Sequence, residues 1–112
     1  MSKPVLIDAT VANAGTESGE VELNGLVPVG VYVPAGAEGV TLTFNASASE
    51  GGAKAPIKDI AGVAYSVTIG ATAAYYPLGG AVFKGVHFIT LVVAAQTGAI
   101  VFQLSCRPAV EA

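Results

Sequence analysis

Apolar side chains recur at every second position over much of this chain, and this period constrains its fold more than any other feature. Segments 40–46, 63–69 and 100–107 alternate apolar residues with residues such as Thr, Ser and Gln. Because successive side chains of a β-strand point to opposite faces, such alternation predicts strands with one buried face. Segments 26–33 and 86–95 are apolar on both faces. They predict central strands of a sandwich, or strands whose outer face meets a neighbouring molecule.

Glycine, proline and asparagine separate these runs at short intervals. Asn24 and Gly25 lie between segments 19–23 and 26–33. An Asn-Gly pair between two apolar runs predicts a β-hairpin, because a type I′ turn requires positive φ at both of its central positions.

The number and spacing of the runs predict seven or eight strands, and therefore an all-β fold, either an antiparallel β-sandwich or a jelly roll, with little or no helix. The only segment long enough for a short helical turn, 54–64, contains Pro56 and Gly62, which oppose helix formation. A length of 112 residues is that of one domain. We expect residues 18–112 to form a single sandwich domain. Residues 1–17 form an extended N-terminal arm, or a first strand and its loop.

The N-terminal arm has two interpretations that the sequence leaves open. Val5, Ile7, Ala9 and Val11 share one face of an alternating segment. The segment could be the first strand of its own sandwich, or it could add to the exposed sheet edge of a neighbouring subunit. In both cases we expect Val5 and Ile7 to be buried, and we take them as candidate contacts with a neighbouring subunit.

Charged residues are scarce, which predicts that the chain associates with itself. They make up 12% of the sequence, against about 25% in ordinary domains, while 53% of the residues are hydrophobic. A surface with so few charges is expected to be covered in part by other subunits. Five basic residues against eight acidic ones leave no basic stripe for nucleic acid. No apolar run is long enough for a membrane helix, and the N-terminus lacks a signal-peptide pattern.

Few residues could carry chemistry, and we predict that the protein is not an enzyme. Cys106 and His87 could act as nucleophile and base, but no orienting third residue is evident, and a lone Cys is more often a buried core residue. One His and one Cys do not make a zinc site. Glu20 and Glu22 share a strand face, for which a solvated edge is the simpler interpretation. We therefore expect no catalytic, metal-binding or cofactor-binding residue.

Tyr75 and Tyr76 form the one aromatic cluster of the sequence. Adjacent residues on a strand point to opposite faces, so one ring should join the core and the other should be exposed. Exposed tyrosines are favoured at protein interfaces and at sugar-binding faces. We take both as candidate interface residues.

The order of several segments resembles that of small structural proteins encoded among the virion genes of tailed bacteriophages. The segments are GLVPVGVYVP at 25–34, LTFNAS at 42–47, the Gly-Gly loop that follows, and VFKGVHFI at 82–89. The likeness covers residues 18–93 and is a pattern of strands and turns. Proteins of this kind are β-sandwich capsid decoration (cement) proteins or head-fibre modules.

The resemblance implies a virion structural protein that binds the major capsid protein and stabilises a tailed-phage head through protein–protein contacts. It further implies a homotrimer on the capsid surface, assembled in the host cytoplasm, with candidate subunit or capsid contacts at Val5, Ile7, Tyr75 and Tyr76. The alternative is a carbohydrate-binding fibre or tail-associated module. In that case Tyr32, Tyr65, Tyr75 or Tyr76 would stack on sugars, although the chain contains no Trp.

Overall fold

The alternating segments form the strands of two antiparallel sheets in a computed structural model that describes residues 5–39, 41–70, 72–83 and 85–108. In chain order the strands are β1 (Val5–Val11), β2 (Val21–Glu22), β3 (Leu26–Val33), β4 (Thr41–Ser47), β5 (Ala55–Pro56), β6 (Ser66–Thr68), β7 (Ala74–Pro77), β8 (Phe88–Val92) and β9 (Ile100–Pro108). The first sheet has the order β1-β9-β3-β7, and the second has the order β2-β8-β4-β5, with β6 also paired to β4. Across the described ranges, the one helical element is a 3₁₀ turn at Gly80–Phe83.

The strand pairs are nested along the chain. β1 pairs with β9, β2 with β8, β3 with β7, and β4 with β5 and β6. The chain is therefore one long antiparallel hairpin, rolled so that most successive strands alternate between the two sheets. This is the jelly-roll arrangement. The all-β sandwich prediction is confirmed, with nine strands among the described residues, or eight if β5 and β6 are counted as one interrupted strand.

The core lies between the sheets and is built from the inward-facing residues of the alternating runs. Phe44 on β4 and Phe102 on β9 are fully buried. Phe83, from the 3₁₀ turn, meets Phe44 edge to face with ring centroids 5.1 Å apart, and it contacts the half-buried Tyr65 in the same way at 5.5 Å. The turn thus supplies one of the core's aromatic residues.

The Asn-Gly turn forms as predicted, but the hairpin does not. Asn24 and Gly25 both have positive φ, 51° and 83°, and the Leu26 N–H donates to the Leu23 carbonyl at 3.0 Å. However, β2 pairs with β8 in the second sheet, whereas β3 pairs with β9 and β7 in the first. The turn fixes a local reversal of the chain. The partners of β2 and β3 lie in different sheets, so this turn connects the two sheets.

The N-terminal segment is the first strand of its own sandwich in the single chain. β1 pairs with β9 over its whole length, from Val5 opposite Cys106 to Val11 opposite Ile100. Ile7 is half-buried against the core, but Val5 is 43% exposed. The expectation that Val5 is buried is therefore wrong within the chain. Val5 lies at the end of an edge strand, where β9 covers it on one side only.

Candidate functional site: the outer face of the first sheet

Exposed apolar side chains concentrate on the outer face of the first sheet. In the described part of the chain seven large hydrophobic side chains are exposed, and four of them lie on this face: Leu6, Tyr32, Tyr75 and Val101. We call these four residues the tyrosine face. They come from β1, β3, β7 and β9, so every strand of the sheet contributes one.

The strand registers explain why these side chains are neighbours. Asp8 lies opposite Gln103, Gln103 opposite Tyr32, and Tyr32 opposite Tyr75. Directly opposed residues share a face of the sheet, so these side chains form one row across four strands. In the next row Val101 lies opposite Thr10.

Tyr32 and Tyr75 pack against each other on this face. Their ring centroids are 4.7 Å apart, with the ring planes inclined at 52°. The Tyr75 ring lies over Gly30, where a Cβ atom would come within 2.5 Å of Tyr75 Cε1 and closer still to Cζ and Oη. Gly30 therefore provides the space in which the Tyr75 ring lies.

An apolar groove of about 470 Å³ runs beside the tyrosine pair. Its lining includes Tyr32, Pro34, Ala74, Tyr75, Val101 and Gln103. The Gln103 amide supplies the polar side chain, and its Nε2 donates to Asp8 Oδ1 at 3.2 Å. Asp8, the only charged side chain of the row, lies beside Gln103 just outside the groove lining. We call this groove the tyrosine groove.

The outer face of the second sheet is chemically different. Its rows present hydroxyl and amide side chains, among them Thr41, Thr43, Asn45, Ser66 and Thr68. Glu20 lies near one end of β4 and accepts hydrogen bonds from the Gly51 N–H at 3.0 Å and from Ser47 Oγ at 3.3 Å. The Glu20 carboxylate therefore braces the loop after β4. The outer face of the second sheet is thus richer in hydroxyl groups, whereas the outer face of the first sheet carries more exposed aromatic and aliphatic side chains.

Cys106 and His87, the two residues considered as nucleophile and base, lie in different environments. Cys106 is fully buried in the first sheet, and burial raises the pKa of its thiol to about 11. Its Sγ lies 3.9 Å from the Leu104 carbonyl oxygen. His87 is exposed just before β8. Over the described ranges, no cluster of three or more His, Cys, Asp or Glu side chains could hold a metal ion, and no helix there is long and apolar enough to cross a membrane.

Comparisons with known proteins identify a structural neighbour. No protein-family model matches the chain, and no curated protein matches it. The chain is similar in fold to a prophage protein. This is the SPBc2 prophage-derived protein YomS, whose crystal structure superposes with a TM-score of 0.56 at 16% sequence identity. The match covers 96% of this chain and 97% of that one, so the likeness extends over the whole jelly roll.

The four tyrosines divide into an exposed pair and a half-buried pair. Tyr76 packs against the core, and its hydroxyl accepts a hydrogen bond from the Gly70 N–H at 3.0 Å. The Tyr65 hydroxyl accepts one from the Gly79 N–H at 2.8 Å. Tyr75 is 45% exposed, so the prediction that the Tyr75 and Tyr76 rings lie on opposite sides of the strand is confirmed. Of the tyrosines considered as sugar platforms, only Tyr32 and Tyr75 are exposed.

Sequence analysis missed a second exposed apolar feature, in the connection between β5 and β6. Asp59 Oδ1 accepts hydrogen bonds from the N–H groups of Ala61 and Val63 at 2.9 and 3.0 Å, and the Asp59 N–H donates to the Val63 carbonyl at 2.8 Å. Ile60 stands at the tip with its side chain fully exposed. We call residues 59–63 the Ile60 turn. The signal was available in the Asp-Ile-Ala-Gly sequence, because Asp and Gly at this spacing favour a side-chain-capped turn.

Proposed function

We propose that this chain is a virion structural protein of a tailed bacteriophage, acting as a capsid decoration protein. In this role several copies associate, with a trimer as the expected assembly, and bind the major capsid protein on the outer surface of the head. The chain needs no catalytic residue, metal or cofactor, and it would be assembled onto the virion in the host cytoplasm.

The observation that carries the proposal is the tyrosine face. A concentration of exposed large apolar side chains on one face of a small protein marks a contact with another macromolecule. Tyrosine is enriched in protein interfaces, where its ring supplies contact area at low entropic cost. The opposite face of the sandwich carries hydroxyl groups and carboxylates, which suits a surface that stays in water. A protein with one adhesive and one hydrated face is suited to coating a larger shell.

Two further observations support a phage context. The jelly roll is a common architecture of viral capsid proteins, and the similar solved structure is that of a prophage-derived protein. The sequence resemblance to tailed-phage structural proteins agrees with both. Because a repeating shell offers many sites to a multivalent protein, modest affinity per copy is sufficient for tight binding.

The test is to follow the protein through virion assembly. An epitope-tagged copy is expressed in cells that produce the phage carrying this gene, and virions are purified by density-gradient centrifugation. We expect the protein to band with virions in many copies per particle. After the virions are dissociated, it should remain with heads rather than tails. Its absence from purified virions would overturn the proposal, and its recovery with tails would move the site of action.

A carbohydrate-binding fibre or tail-associated module is the second candidate, favoured by one observation. Tyr32, Tyr75 and the Gln103 amide line the same groove, and aromatic rings beside an amide are typical of sugar sites. A glycan array probed with the purified protein distinguishes the two functions. Binding that is abolished by Tyr75→Ala would favour the carbohydrate module, and an array without hits would favour the decoration protein.

A further inference from the structure

The Ile60 turn has the form of a rigid knob. Four hydrogen bonds fix it, two accepted by Asp59 Oδ1, one donated by the Asp59 N–H, and one from the Gly62 N–H to the Asp59 carbonyl at 2.9 Å. An isolated bridge between Lys58 and Ala64 closes its base. Ile60 is 108% exposed and Val63 is 61% exposed. Because the exposed Ile60 and Val63 side chains contribute little burial to the fold of their own chain, they are suited to a contact with another molecule.

The tyrosine groove has the form of a matching hole. It is an open depression on the sheet surface, and its volume of about 470 Å³ leaves room for one or two aliphatic side chains. Tyrosine, proline, alanine and valine side chains line it, which suits an aliphatic occupant. The groove lies on the first sheet, whereas the Ile60 turn joins two strands of the second.

We infer that the Ile60 turn of one copy of this protein inserts into the tyrosine groove of a second copy. The inference deepens the self-association in the proposed function and rests on that part of it. Because the knob and the hole are different surfaces of the same chain, the contact is head-to-tail. Such contacts close into a ring when the rotation between copies allows it, and the expected trimer is one such ring.

Charge at the two surfaces favours a second copy as the occupant. Lys58 is exposed at the base of the Ile60 turn, and Asp8 is exposed at one end of the groove's row. Insertion of Ile60 would bring these opposite charges to the rim of the same contact, where such pairs set orientation and association rate. Both partners of the pair come from this one sequence.

The first arm of the test compares three single substitutions by light scattering after size exclusion. Ile60→Asp removes the knob and Val101→Asp charges the groove, whereas Thr41→Asp places the same charge on the outer face of the second sheet, away from both surfaces. All three side chains are exposed, so circular dichroism should show an unchanged fold. We expect Ile60→Asp and Val101→Asp to weaken association at least 10- to 100-fold, as expected from the loss of one buried aliphatic side chain. Thr41→Asp should keep the wild-type mass.

The second arm mixes the two weakened variants. Ile60→Asp keeps an intact groove and Val101→Asp keeps an intact knob, so one head-to-tail contact remains possible between them. We expect the mixture to form a one-to-one dimer with twice the 11.1 kDa mass of a single chain, and no larger species. A symmetric interface made by either surface alone would not be restored by mixing.

Three results would overturn the inference: a wild-type protein that is monomeric at about 100 µM, an Ile60→Asp variant that keeps the wild-type mass, or a mixture that stays monomeric. The virion test is independent of these outcomes. If the protein binds heads but its copies do not associate through Ile60, the inference is refuted and the decoration function stands. If the protein forms the head-to-tail oligomer but is absent from virions, only the decoration function is refuted.

Discussion

Substitution of Gly30 by alanine tests whether the Tyr75 ring is held as the structure places it. Gly30 does not have a positive φ, so the backbone tolerates alanine and the effect comes from side-chain contact. The new methyl group would overlap the Tyr75 ring and expel it from the face. Because Tyr75 is about half exposed, its ring can swing into water, and the strand need not move.

The expected cost follows from the contacts that the ring loses. A half-buried tyrosine ring contributes about 2 kcal/mol through roughly 100 Å² of buried area, and the packing against Tyr32 adds about 1 kcal/mol. The displaced ring keeps part of its burial, and replacing glycine by alanine returns about 0.5 kcal/mol through the unfolded chain. We expect Gly30→Ala to lower the free energy of unfolding by about 1–2 kcal/mol, which corresponds to a Tm lower by roughly 4–8 °C.

The assay is urea and thermal denaturation followed by circular dichroism, with near-ultraviolet spectra to report on the tyrosine pair. In a Tyr75→Ala background the clash is absent, so Gly30→Ala should be neutral or stabilising by about 0.5 kcal/mol. Gly19→Ala is the matched control, because a Cβ atom there meets nothing within 4 Å. Equal costs of Gly30→Ala in both backgrounds would refute the reasoning.

Three further predictions concern Gln96, Cys106 and strand β1. The buried side-chain amide of Gln96 forms three hydrogen bonds with the backbone of Glu38 and Ala94. Gln96→Ala should therefore lower the free energy of unfolding by about 3 kcal/mol in a urea titration. Gln103→Ala is the control, because it loses one exposed hydrogen bond and should lower the free energy of unfolding by less than about 1 kcal/mol. Cys106 should not react with DTNB until the protein unfolds. Since the pKa of its thiol is about 11 in the folded state against 9.0 without burial, the free energy of unfolding should decline as the pH rises from about 9 to 11, and Cys106→Ala should remove this contribution. Deletion of residues 1–12 removes β1, the partner of β9, and should lower the free energy of unfolding by about 3–5 kcal/mol. A truncated chain with an unchanged urea midpoint would contradict the pairing.

Local period predicts the strands well where the strand is long. Segments 26–33 and 100–107 correspond to β3 and β9 almost residue for residue. Segment 63–69 alternates just as clearly, yet only Ser66–Thr68 forms a strand. Val63 lies in the turn that the Asp59 carboxylate caps. Hydrogen bonds from a side chain to nearby backbone compete with the sheet ladder, and apolar period carries no information about them.

The candidate site was predictable only in part, because it is assembled from residues distant in sequence. Exposure of one ring of the Tyr75–Tyr76 pair follows from strand geometry, but the neighbours Tyr32 and Val101 depend on the strand order of the sheet. That order is set by nested pairs such as β1 with β9, which no local pattern specifies. Gly30 illustrates the same limit, since its sequence context does not show that a tyrosine on another strand lies over it.

The nested pairing also determines how the protein responds to mechanical load. Val5 lies beside Cys106 at one end of the first sheet, and the β1–β9 ladder runs from there through seven residue pairs to Val11 and Ile100. Tension that separates Val5 from Cys106 breaks these pairs one after another, so the force required at each step is small. Tension along the strands, between Val5 and Ile100, loads all seven pairs together. The protein is therefore weak when its first and last strands are peeled apart and strong when they are sheared.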